Sequence, residues 1–210
     1  MKKSDLLKKE LRDAALITRR DKRTLALSVV LQKALLPYKL YPILVGGSAV
    51  EYYTRGEYAS GDIDYVLPTS DILKEIMAQL GFKKEGRLFI HPELHLVIEF
   101  PSSYLEKNET FDEITEGNIK VRIIALEDLI IDRLNTFKWG KVTAEGENIL
   151  LLLDKLSEGG FRNLKQKAKF HDVLDMLNKL VSLKDKIQKK HLTKIKATDL
   201  LKEIIHKNRC

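Results

Sequence analysis

The chain has 210 residues, 44% of them hydrophobic and 32% charged, with a formal net charge of +7. That length and composition give one or two globular domains with a buried core and exclude a fibre or a disordered tail. Apolar runs such as residues 149–153 fall far short of the roughly 20 residues that a membrane helix needs, so no transmembrane helix is expected.

The opening Met-Lys-Lys-Ser-Asp lacks the apolar core and small-residue cleavage site of a secretory signal, and a cytoplasmic protein is expected. The one cysteine, Cys210, has no partner in the chain, which excludes an intrachain disulfide and a Cys-rich zinc site. Residues 1–24 carry 9 Lys/Arg against 4 Asp/Glu, residues 25–124 carry 10 against 14, and residues 125–210 carry 18 against 12. An acidic middle between basic ends suits a metal or catalytic centre flanked by surfaces that attract an anionic partner. Solvated lysine-rich helix faces would give the same counts.

In chain order, apolar residues recur at helical spacing over residues 4–36, with a charged break at 19–23 and a stop at Pro37, predicting two helices or one bent one. Residues 41–45 form a short β-prone run ending at Gly46-Gly47, and Ser48 is placed to cap a helix to about residue 54. A second strand is predicted at 63–67, then a helix capped by Thr69 or Ser70, running to Leu80 and ended by Gly81. Strands follow at 87–91 and 94–100, joined at Pro92-Glu93, and at 119–124. From Ala125 the period becomes helical, with apolar stripes at 126–137, 145–156, 164–180 and 198–206, and Gly159-Gly160 as the clearest internal break. The expected fold is an α/β (α+β) layer, a mixed sheet flanked by helices, followed by a helical C-terminal bundle. The expected division is an N-terminal helical segment 1–24, an α/β core 25–125 and a helical domain 126–210.

The chemistry concentrates in Val45-Gly46-Gly47-Ser48-Ala49 and Ser60-Gly61-Asp62-Ile63-Asp64-Tyr65. Residues i and i+2 of a strand share a face, so Asp62 and Asp64 project together while Ile63 and Tyr65 project the other way. Two adjacent carboxylates repel unless a cation neutralises them, and hard oxygen donors suit Mg²⁺ or Mn²⁺. In the run 94–100, Leu94, Leu96, Ile98 and Phe100 share one face and Glu99 takes the other. If that strand neighbours the Asp62-Asp64 strand, Glu99 completes a three-carboxylate set able to hold two divalent ions, as phosphoryl transfer uses. Glycines after a strand let backbone N–H groups approach phosphate oxygens, and Ser48 adds a hydroxyl donor.

Gly46-Gly47-Ser48, 13 further residues, Asp62-Ile63-Asp64 and then Glu99 among apolar residues resemble the nucleotidyltransferase fold of the DNA polymerase beta superfamily. The motifs are similar to the small bacterial and archaeal group that includes the minimal nucleotidyltransferases and the AbiEii-type abortive-infection toxins. Residues 127–134, with Trp139 shortly after, also look like members of that group, and the resemblance covers about residues 25–155. It implies a transferase that takes an NTP as substrate with Mg²⁺ or Mn²⁺ and acts on an RNA, protein or small-molecule hydroxyl, in a toxin–antitoxin setting among others. It makes Asp62 and Asp64 metal ligands and Glu99 the third ligand and base. Gly46, Gly47 and Ser48 would hold the phosphates, and Ser60 would brace the turn before Asp62. Glu departs from the commoner Asp at the third position.

Other assignments compete. Asp62 and Asp64 at a solvated strand edge, or Glu99 paired with Arg87 or Lys120 across the sheet, would be structural. Arg133 and Lys138 are candidates to reach the triphosphate from the first bundle helix, with salt bridges as the alternative. His91, Glu93 and His95 suggest a metal cluster, but Pro92 forbids the helix that an i, i+4 pair needs. Trp139 and the Tyr52-Tyr53 pair are packing residues before they are base-stacking platforms. Residues 162–196 hold 11 Lys/Arg against 3 Asp/Glu, a surface suited to nucleic acid. The alternative to an enzyme is a degenerate domain of the same fold that binds RNA or serves as an antitoxin.

Overall fold

The computed structural model describes residues 3–206, so Cys210 lies outside the described residues. Two compact units divide the chain after Ala125. The first opens with α1 (Lys3–Ala15), α2 (Arg20–Leu35) and a 3-10 turn at Leu36–Tyr38. The charged run 19–23 does not separate the helices, as expected from its composition, but starts the second one. Asp21 then lies in the first turn, where an acid complements the exposed N–H groups. The boundary expected between residues 24 and 25 falls inside α2. That helix is buried on most of its surface, with Leu25, Ser28, Gln32 and Leu35 covered as well as Leu27, Val30, Leu31 and Ala34.

β1 (Ile43–Val45) begins just after Pro42, which has no N–H to give a ladder and so shortens the strand expected at 41–45. Then come α3 (Gly46–Tyr53), β2 (Ile63–Val66), α4 (Asp71–Gln79), β3 (Lys83–Glu85), β4 (Leu88–His91), β5 (Leu96–Glu99), β6 (Phe111–Glu116) and β7 (Ile119–Ile124). Ser70 caps α4 by accepting the Leu73 N–H at 3.2 Å. The seven strands make one sheet in the order β3-β4-β5-β2-β1-β7-β6. β1 is antiparallel to β2 and parallel to β7, and β2 is parallel to β5, so the sheet is mixed. β3 and β6, which hydrophobic pattern did not predict, are the two edges. Their side chains are almost all exposed, and the backbone ladders to β4 and β7 hold them.

Ile63 and Tyr65 point to the α2 side of β2, where the buried Tyr65 hydroxyl lies 2.7 Å from Ser28 Oγ. The opposite parity of the same strand carries Asp62 and Asp64. Register then sets the site, because Asp64 is the Cα partner of Val45 on β1 and of Glu99 on β5.

The second unit is helical: α5 (Leu126–Lys138), α6 (Thr143–Leu153), α7 (Glu158–Phe170), α8 (Leu174–Lys190) and α9 (Lys194–His206). Leu134, Phe137, Ile149, Leu164, Leu177 and Leu201 are fully buried in it. The single helix expected at 164–180 is two, parted at Asp172, whose φ of 54° is left-handed. Gly159-Gly160 is not a break but the first turn of α7, where Ser157 Oγ accepts the Gly160 N–H at 3.1 Å.

Candidate metal and nucleotide site

The site starts where β1 runs straight into α3. Gly46 has a φ of +62°, and a Cβ there would lie 2.1 Å from Asp64 Oδ2. Only glycine accepts both the backbone angle and the carboxylate. A Cβ on Gly47 would lie 2.7 Å from Ser60 Oγ. The space left by both missing side chains is thus filled by this chain's own Asp64 and Ser60.

Ser48 does not cap the helix: Val45 holds the cap position and no side chain caps α3. The Ser48 side chain is buried, donating to the Val45 carbonyl at 3.0 Å and accepting the Asp64 N–H at 3.2 Å. Its hydroxyl, expected to face phosphate, instead ties the first turn of α3 to β1 and β2. Ser60 Oγ donates to Asp62 Oδ1 at 3.4 Å.

Asp62 and Asp64 are half-buried and Glu99 is buried, and one oxygen from each lies within 4.8 Å of the other two. Three hard carboxylate oxygens, converging from β2, the residue before it and β5, could hold a metal ion. Arg87, in the β3–β4 turn, places Nε 2.7 Å from Glu99 Oε1 with its own side chain 79% exposed. Glu99 therefore has both expected relationships at once, membership of the acid group and pairing with Arg87. Lys120 pairs with Glu113 at 2.9 Å instead.

Arg133 and Lys138 belong to the helical unit and are held by carboxylates there. Arg133 meets Asp132 at 2.9 Å and Glu145 at 3.0 Å, and Lys138 meets Asp175 at 3.1 Å and also Asp172. Lys138 Nζ also sits 4.6 Å from the Trp139 ring centroid. Tyr53 donates to the Ile124 carbonyl at 2.9 Å and packs edge-on against Tyr52, whose phenol pKa is raised by burial and then by nearby acids. His91 is buried with Nδ1 accepting the Leu94 N–H at 3.3 Å, so it closes the β4–β5 hairpin.

Glu51 and Thr24 belong to no sequence motif, yet they stand beside the acid group. Glu51, on α3, is 2% exposed, accepts the Thr24 hydroxyl at 2.6 Å through Oε1, and accepts the Ser60 N–H at 3.0 Å through Oε2. A cavity of about 210 Å³ lies beside it, lined among others by Arg23, Thr24, Ser60, Asp62 and Leu96. The one local hint was an acid directly after the apolar pair Ala49-Val50.

No family model and no curated protein matches the chain. Among solved structures, ANT(2″)-Ia in complex with adenylyl-2″-tobramycin is similar at a TM-score of 0.48 and 17% identity, covering 66% of this chain and 92% of that one. The solution structure of the antibiotic-resistance factor ANT(2″)-Ia is similar at a TM-score of 0.46 and 19% identity, covering 70% and 91% respectively. These are likenesses of backbone course.

Proposed function

We propose that this chain is a metal-dependent nucleotidyltransferase that moves a nucleoside monophosphate from an NTP to an acceptor hydroxyl and releases pyrophosphate. The observation that carries it is the convergence of Asp62, Asp64 and Glu99, one oxygen each within 4.8 Å, beside a glycine turn that opens a helix. Asp62, Asp64 and Glu99 would hold Mg²⁺ or Mn²⁺, which when bound supplies positive charge for the triphosphate and lowers the pKa of the attacking hydroxyl. The first-turn N–H groups of α3 have no side-chain cap and would meet the phosphate oxygens, while Gly46 and Gly47 make room beside that turn for Asp64 and Ser60. Glu99 would take the proton of the acceptor hydroxyl as the oxygen of that hydroxyl bonds to the α-phosphorus. The α–β bridging oxygen leaves with pyrophosphate. Ser60 and Ser48 hold Asp62 and the Asp64 backbone in place during this exchange.

Arg133 and Lys138 pair with carboxylates of the helical unit and carry no step of this reading. The acceptor is defined by its hydroxyl, and RNA, protein and small molecules are separate arms of the test.

The purified chain is incubated with each α-labelled NTP, Mg²⁺ or Mn²⁺, and total RNA, total protein or a small-molecule extract. Label transferred by the wild type and reduced at least a hundredfold by Asp62→Ala with Asp64→Ala is the expected outcome. Equal transfer by that variant would remove these acids from the reaction, and no transfer by the wild type in any arm would leave a binding protein of this fold.

A further inference from the structure

A carboxylate as buried as Glu51 is costly unless hydrogen-bonded, and here each of its oxygens accepts a hydrogen bond. Oε1 takes the hydroxyl of Thr24 on α2, and Oε2 takes the backbone N–H of Ser60, two residues before Asp62. Ser60 in turn donates to Asp62. At the other end of the same eight-residue helix, Ser48 accepts the Asp64 N–H. The helix therefore grips the acidic strand at two points, Asp64 through its first turn and the segment before Asp62 through its last.

We propose that Glu51 is a positioning residue: acting through Ser60, it fixes Asp62 so that the site binds a divalent cation in a preorganised geometry. This rests on the nucleotidyltransferase reading of the acid group. Glu51 gives one of its two oxygens to the loop that leads into Asp62, which couples the two. Ordering a ligand in advance raises affinity because binding no longer has to order it.

Charge and geometry separate on substitution. The Thr24 hydroxyl both donates and accepts, so a glutamine at 51 keeps its oxygen on the Ser60 N–H and turns its amide toward Thr24. Glu51→Gln thus removes the charge and keeps the tether. Glu51→Ala removes both. Thr24→Val is close to isosteric, lies on another helix, and reaches the acids only through Glu51.

The test is Mn²⁺ titration of the full chain by electron paramagnetic resonance without nucleotide, with Ser60 amide exchange followed by NMR. Glu51→Gln is expected within twofold of wild type, Thr24→Val about threefold weaker and Glu51→Ala about tenfold weaker. Ser60 amide exchange should accelerate in the last two. If Glu51→Ala does not fold, Thr24→Val and Glu51→Gln decide alone. Wild-type affinity in Thr24→Val with a faster Ser60 amide overturns the proposal, as does a Glu51→Gln loss equal to that of Glu51→Ala, which would assign the effect to charge. A wild type that binds no Mn²⁺ removes the nucleotidyltransferase reading too. A wild type that binds it, with variants that bind equally, removes only the role of Glu51.

Discussion

At the residue scale, the acid group carries three negative charges when ionised, and Arg87 supplies a cation at 2.7 Å from Glu99. An exposed guanidinium of this kind contributes about 0.2–1 kcal/mol to stability. Arg87 also competes with any cation that Glu99 takes. Arg87→Ala is expected to leave the urea midpoint nearly unchanged and to tighten Mn²⁺ binding two- to fivefold, because the guanidinium no longer has to be displaced; weaker binding would contradict this. Gly46→Ala is the severe substitution, since its Cβ would meet Asp64 Oδ2 at 2.1 Å and its backbone would keep a φ of +62°. The expected loss is about 1–3 kcal/mol in urea unfolding together with nucleotide transfer below detection. Asp62 and Asp64 were legible in the sequence because a two-residue strand period is local. Glu51 was not, because its burial comes from α2, 27 residues upstream through Thr24. The hydrogen bond that the Ser48 hydroxyl accepts was hidden for a similar reason: the strand that donates it lies 16 residues downstream.

At the element scale, helices and central strands wrote themselves in apolar periodicity, whereas β3 and β6 carry almost no buried side chains and left no pattern to find. The α7–α8 break was equally hidden. Apolar spacing continues across it, and the turn is made by the left-handed Asp172 at φ 54°. Asp172→Val is therefore expected to destabilise the helical unit by about 1–2 kcal/mol, against near neutrality for Asp172→Gly, as read by thermal melts. The β4–β5 hairpin carries a pH dependence. Burial lowers the His91 pKa, opposed by Glu93 and the Leu80 carbonyl, so the folded state resists the proton that the unfolded chain accepts near pH 6.5. The unfolded state then binds more protons below that pH, and stability falls as pH drops from about 6.5 toward the lower folded value. His91→Leu should flatten that slope between pH 6.5 and 5.5; an unchanged slope would assign it to other groups.

At the scale of the whole molecule, each unit has its own buried core, the first around the sheet and α2 and the second among α5 to α9. The change from strand to helical period was visible because it spans many residues, while the sheet order was not, since pairing partners lie far apart in sequence. That order has a kinetic meaning. Asp64 and Glu99 face each other only across the parallel β2–β5 pairing, whose connection contains α4, β3 and β4. Parallel pairing over such a crossover carries a large loop-closure cost, and a chain that has not completed it presents no three-acid grip. A divalent ion held there would act as a brake on unfolding and not as a template for folding. In denaturant-jump kinetics, added Mg²⁺ should slow the unfolding limb and leave the refolding limb where it was.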